Sequence, residues 1–87
     1  MKIVTVCGNG CGTSLLLKMT VETALRSLGL DAQVEHTDLN SAASISCDFL
    51  MGAVDLSDLL AGTGQRFVTI NSVLDVQEVA QAIRSML

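Results

Sequence analysis

Apolar positions along this chain change period from one segment to the next. Ile3-Val4-Thr5-Val6 is a short β-branched run and predicts a first strand. From about Thr13 to Leu28 the residues Leu17, Val21, Leu25 and Leu28 recur on one helical face. Lys18, Glu22 and Arg26 lie four apart on another face, the arrangement of a solvated helix surface. Gly29 suits the left-handed position that ends a helix. Ala32 to Thr37 alternates, so a half-exposed edge strand is expected. Asp38 to Ser46 reads as a loop with a short helix. Phe49-Leu50-Met51-Gly52-Ala53 is continuously apolar, the mark of a strand covered on both faces. Asp55 caps a short helix through Leu60, Gly62-Thr63-Gly64 turns the chain, and Phe67-Val68-Thr69-Ile70 is the fourth strand. Asp75, with Glu78 three residues on, makes a capping-box-like start. Val76, Val79, Ala80, Ile83 and Leu87 then stripe the last helix.

Strand followed by helix, four times over, gives a parallel sheet with helices on both faces. The expected architecture is a three-layer α/β/α sandwich whose four-stranded parallel sheet has the order 2-1-3-4, with right-handed crossovers. The first strand is then central, and ligands bind beyond the carboxyl ends of the strands where the connections diverge. Residues 1–87 make one domain, with no linker, repeat or low-complexity run.

Composition narrows the function. Nine acids against five bases give a net charge of −4, which argues against binding a nucleic-acid backbone. Two Phe are the only aromatics, too few for a base-stacking platform. No stretch approaches the ~20 apolar residues of a membrane span, and the N-terminus enters a strand at once, so a cytoplasmic protein without direct membrane insertion is expected. Cys7, Cys11 and Cys47 are odd in number and lack metal-like pairing, and His36 alone cannot build a metal site. No metal or organic cofactor is expected.

The informative segment follows the first strand. Gly8, Gly10 and Gly12 allow successive N–H groups to converge on one anion. The helix that follows adds free N–H groups and a positive dipole end, and Thr13 and Ser14 add hydroxyls. The cradle fits one tetrahedral phosphate, with Cys7 at its floor and Gly8, Asn9, Gly10, Cys11, Gly12, Thr13 and Ser14 as its wall. Such surroundings favour thiolate over thiol, and thiolate is the nucleophile. The competing reading makes Cys7 a small buried residue closing a strand. The loop holds no Arg or Lys, whereas cysteine-dependent phosphatases ordinarily clamp transition-state charge with Arg. Neutral donors hold a phosphoryl group but activate it less towards water, so a carrier is expected rather than a hydrolase. A dinucleotide fingerprint would need Gly at position 13, a Walker loop would need Lys there, and Cys7 and Cys11 are four apart rather than three.

The run Cys7-Gly8-Asn9-Gly10-Cys11-Gly12-Thr13-Ser14, followed by Leu-Leu-Leu-Lys-Met-Thr-Val, resembles the phosphocysteine loop of IIB components of the bacterial sugar phosphotransferase system. His36-Thr37-Asp38-Leu39-Asn40-Ser41-Ala42 resembles the ascorbate branch of the ascorbate/galactitol group. The resemblance covers essentially the whole chain. It implies a sheet like that of low-molecular-weight tyrosine phosphatases. It implies a phosphohistidine donor on the IIA component, Cys7 as the phosphoryl site, and transfer to sugar held by the membrane-embedded IIC component at the inner face of the membrane. Cys11 stands where family members often carry Leu or Gln, so only its backbone is assigned a role. Met51-Gly52-Ala53-Val54-Asp55 replaces a more usual Thr/Ser pair after the third strand.

Other residues carry weaker signals. His36 could relay a proton, although a lone His near a strand end is ordinarily a surface or structural group. Asp38 caps the next turn or touches a partner, and Asp55 stands where related phosphatases place an acid loop. Cys47, Met19, Met51 and Met86 are read as packing residues. Two rival functions remain on this reading. One is a cysteine-dependent phosphatase or arsenate-reductase-like enzyme on the same fold. The other is an anion-binding or redox module with a Cys7–Cys11 disulfide.

Overall fold

The computed structural model describes residues 1–7, 13–53, 57–60 and 62–87. The elements are β1 (Lys2–Cys7), α1 (Thr13–Leu28), β2 (Gln33–Asp38), α2 (Leu39–Ala42), β3 (Phe49–Gly52), α3 (Ser57–Leu60), β4 (Phe67–Thr69) and α4 (Val76–Met86). They alternate as the hydrophobic pattern requires. The sheet order is β2-β1-β3-β4 and every pairing is parallel, as expected from the sequence. Boundaries differ slightly. Asp38 is the last residue of β2 as well as the cap of α2, and β3 stops at Gly52, one residue short of the apolar run.

Alternation along β1 sorts the core into two layers. Ile3, Phe49 and Met51 pack on Leu17, Val21, Ala24 and Leu25 of α1 and on Val79 and Ile83 of α4. Val4, Val6 and Leu50 point the other way, onto Ala42 and Leu60. Strand side chains alternate between faces, so neighbours in β1 serve opposite layers, and β3 is buried throughout because both faces are covered. β2 is the half-exposed edge. Here Lys2 Nζ pairs with Glu35 at 3.0 Å.

Local chemistry sets the ends of the elements. Gly29 takes φ 70°, and Leu30 N–H donates to Leu25 O at 2.9 Å, closing α1 as a left-handed cap does. Asp38 Oδ1 accepts from Ser41 N–H at 2.8 Å and starts α2. Asp75 Oδ1 accepts from Gln77 and Glu78 N–H at 3.0 and 3.2 Å and starts α4. The reciprocal half of the capping box is not made. Glu78 instead accepts from Asn71 N–H at 2.6 Å and Ser72 N–H at 3.0 Å. The Asp75 N–H that the box would use donates to Ser72 O at 3.0 Å, and the Glu78 side chain braces the loop instead.

Two packing expectations are corrected. Met19 is 58% exposed, because it lies a half-turn away from the Leu17–Val21 stripe. Cys47 is half-buried rather than central. Its Sγ donates to Gln65 Oε1 at 3.7 Å, and that amide in turn donates to the carbonyls of Ala42 and Ile45. Met51 is fully buried, and Met86 packs against the α1–α4 layer. Among the described residues, no helix is long and apolar enough to cross a membrane.

Candidate functional site

In a parallel sheet every strand delivers its chain to the same edge, and the sequence-predicted site lies at that edge. Cys7 is the last residue of β1, the strand between β2 and β3. On one side its register partner is Asp38. On the other, β3 has already ended, its last pair being Val6 with Gly52. α1 begins at Thr13, so residues 8–12 span strand to helix. Gly8, Asn9, Gly10, Cys11 and Gly12 lie outside the described residues, as does Asp55. For Cys7, Thr13 and Ser14 the backbone placement is described and the side chains are not.

The other candidates separate from one another. Asp38 comes to the site's edge, and its carboxylate is engaged as the α2 cap. His36 pairs with Thr5, two residues back from the end of β2, and is exposed. At ~3.3 Å rise per residue it sits roughly 7 Å behind the Cys7 register position. The Lys18–Glu22 pair, at 3.5 Å, occupies the outer face of α1.

A brace beside the site escaped the sequence reading. Thr20 is 6% exposed and sits between Leu17 and Val21 on the apolar stripe of α1. Its Oγ1 lies 2.6 Å from Val73 O and 3.2 Å from Leu16 O. One hydroxyl carries one proton, and the shorter contact ties α1 to the β4–α4 loop. A hydroxyl inside an apolar stripe is the signal that could have revealed it. Glu78 and Asp75 grip the same loop from α4. Elsewhere, burial pushes the Cys47 thiol above its ordinary value, while nearby Lys2 draws it down and Asp48 adds to the rise. Among the described residues, no group of three or more His, Cys, Asp or Glu is placed to hold a metal ion. A shallow hollow lined by Glu22, Leu25, Arg26, Leu30, Asp31 and Ala32 lies at the opposite end of α1.

This architecture is shared with known phosphotransferase and phosphatase folds. The lactose-specific IIB domain of the phosphoenolpyruvate:carbohydrate phosphotransferase system from Streptococcus pneumoniae superposes with a TM-score of 0.70. The match is 13% identical and covers 99% of this chain and 96% of that one. A mutant of YwlE from Bacillus subtilis superposes with a TM-score of 0.59 at 12% identity, over 99% of this chain and 90% of that one. The fold is therefore that of PTS IIB domains and of low-molecular-weight tyrosine phosphatases.

Sequence comparison resolves which of the two lineages applies. Residues 2–85 match the family described as "PTS system, Lactose/Cellobiose specific IIB subunit", and the chain belongs to that family of phosphotransferase components. It is 30% identical over 90 residues to a protein of Mycoplasma pneumoniae named ascorbate-specific PTS system EIIB component, covering 100% of this chain and 95% of that protein. A protein of the same name from Salmonella typhimurium is 27% identical over 70 residues, covering 78% and 69% respectively.

Proposed function

We propose that this chain is the phosphocysteine carrier of an ascorbate-type sugar phosphotransferase system. The thiolate of Cys7 attacks the phosphorus of a phosphohistidine on the IIA component. The S–P bond forms as the P–N bond breaks, and the departing imidazole takes up a proton. In the second half-reaction a hydroxyl of the sugar, L-ascorbate on this reading, attacks the same phosphorus and gives up its proton to solvent. The S–P bond breaks and the thiolate returns. The IIC component holds the sugar, which places this chain in the cytoplasm, at the membrane through that partner.

Backbone N–H groups of residues 8 to 14, with the hydroxyls of Thr13 and Ser14, offset the charge on the phosphoryl oxygens in both steps. The N-terminus of a 16-residue helix adds its positive end. Neither step calls for a metal or an organic cofactor. The observation that carries this reading is the position of Cys7, closing an interior strand of the sheet just before a long helix. The family match over residues 2–85 and the names of the similar proteins support it. The absence of Arg and Lys from residues 8–14 weighs against the phosphatase alternative.

The test is incubation with phosphoenolpyruvate, the general phosphotransfer proteins and an ascorbate-type IIA protein. Intact mass rises by one phosphoryl group, and Cys7→Ser abolishes the transferable label. Rapid hydrolysis of p-nitrophenyl phosphate by the purified chain would instead support a phosphatase.

A further inference from the structure

Charge at the end of β1 depends on its neighbours, and the sheet fixes which they are. Asp38 is the register partner of Cys7. Adjacent strands lie ~4.8 Å apart, so the two backbones are one strand spacing from each other. On the other side β3 is uncharged from Phe49 to Gly52, and its last pair with β1 is Val6 with Gly52. The helix α2, Leu39–Ala42, carries no ionisable residue. The helix α1 has no acid in its first turn, and its next charges, Lys18 and Glu22, pair with each other at 3.5 Å. His36 is exposed two residues back along β2. Asp58 lies in the first turn of α3, across the sheet from α1. Asp75 and Glu78 accept backbone N–H groups at the start of α4, beyond β4, which is two strands from β1. Among the described residues, Asp38 is therefore the ionisable residue that the sheet sets directly beside Cys7.

The charge of that carboxylate is not compensated by a base. Its Oδ1 accepts from Ser41 N–H at 2.8 Å, the residue is exposed, and among the described residues no Lys, Arg or His pairs with it. Capping α2 does not call for a charge, since Asn caps helices as well as Asp does. What the charge adds is felt one strand away. Two like charges at ~6 Å in solvent-screened surroundings shift an equilibrium roughly three- to tenfold, and a phosphoryl group brings ~2 negative charges.

We propose that Asp38 makes Cys7 a carrier rather than a store, its negative charge offsetting part of the pull that the site exerts on the phosphoryl group. The 16-residue helix α1 begins at the site with its positive end, and N–H donors alone would hold the dianion and keep it. With Asp38 alongside, the charged carrier lies higher in free energy and the S–P bond is given up more readily. The same repulsion disfavours the free thiolate relative to the thiol. Asp38 acts through Cys7 and touches neither donor nor sugar, as a positioning residue does. The inference rests on the carrier reading above.

The test compares Asp38→Asn, which keeps the cap, with Asp38→Ala, which loses it. Alkylation by iodoacetamide across pH, read at Cys7 by peptide mass spectrometry, follows the thiol. Asp38→Asn should move the midpoint of that profile down by at least about half a pH unit. A fixed amount of phosphorylated IIA protein of an ascorbate-type system, with no phosphoenolpyruvate, follows the transfer equilibrium by intact mass. Asp38→Asn should shift it towards phosphocysteine at least about threefold. Asp31→Asn, the same change in net charge in the loop before β2 at the far edge, should alter neither reading. The urea midpoint should fall in Asp38→Ala and hold in Asp38→Asn. A wild-type chain that takes no label overturns the carrier reading and this inference with it. A labelled wild type whose profile and equilibrium coincide with those of Asp38→Asn overturns the inference alone, and leaves the carboxylate as a cap only. Equal shifts in Asp31→Asn would overturn it too, by making the effect one of net charge.

Discussion

Replacing Thr20 by Val removes one hydroxyl and keeps the shape of the side chain. Thr20 is nearly fully buried, and its Oγ1 donates to Val73 O at 2.6 Å. Val fills the same volume and is close to Thr in helix propensity, so the change isolates the bond. Removing the donor leaves a carbonyl facing apolar atoms, at a cost of about 1–3 kcal/mol. With a urea m-value near ~1 kcal/mol/M for a chain of this size, the midpoint should fall by roughly 1–3 M at unchanged slope. The melting temperature should fall by ~4–8 °C for each kcal/mol lost. Hydrogen exchange locates the effect: amides between Asn71 and Asp75 should exchange faster in Thr20→Val and not in Thr20→Ser, which keeps the donor. A Val variant with a wild-type midpoint and unchanged exchange across that loop would refute the bracing role.

Three further outcomes follow from the geometry. A Cβ on Gly52 would sit 2.9 Å from Phe67 Cζ and 3.4 Å from Val6 O, so Gly52→Ala should cost about 1–3 kcal/mol. In a Phe67→Leu background it should cost less, and strict additivity in a double-mutant cycle would contradict the clash. Asp75→Ala removes the acceptor for two N–H groups at the start of α4 and should lower stability by about 1 kcal/mol in urea titration. The Cys47 thiol is raised by burial. Its contribution to stability is fully present below the ordinary thiol value of roughly 8.5 and is lost as pH climbs through the higher folded value. Wild type should therefore lose stability faster than Cys47→Ala on the alkaline side, and parallel curves would remove the effect.

The elements and their order were legible because each carries its own period. The Leu17–Leu28 stripe marks α1, the even burial of Phe49–Gly52 marks an interior strand, and the alternation in Gln33–Asp38 marks an edge. What periodicity cannot carry is a polar contact between segments far apart in the chain. Thr20 meets Val73, 53 residues away, and Glu78 turns from its expected cap partner to the backbone of Asn71 and Ser72. Both depend on how closely the β4–α4 loop comes down on the helices, which only the packed sheet fixes. Met19 was misassigned for a related reason, since it is apolar in type but lies off the stripe that faces the sheet. At the candidate site, the proposed chemistry of residues 7–14 rests on the sequence, and the sheet shows only the place of Cys7, beside Asp38 at the end of β1.

The most direct measurement is phosphorus NMR of the protein after charging by the phosphoenolpyruvate-dependent donors. A single resonance of phosphothioester type, absent from Cys7→Ser and discharged when the sugar-loaded membrane partner is added, is the predicted result. A phosphoramidate signal assigned to His36, the chain's only histidine, with Cys7 still open to alkylation, would contradict the account.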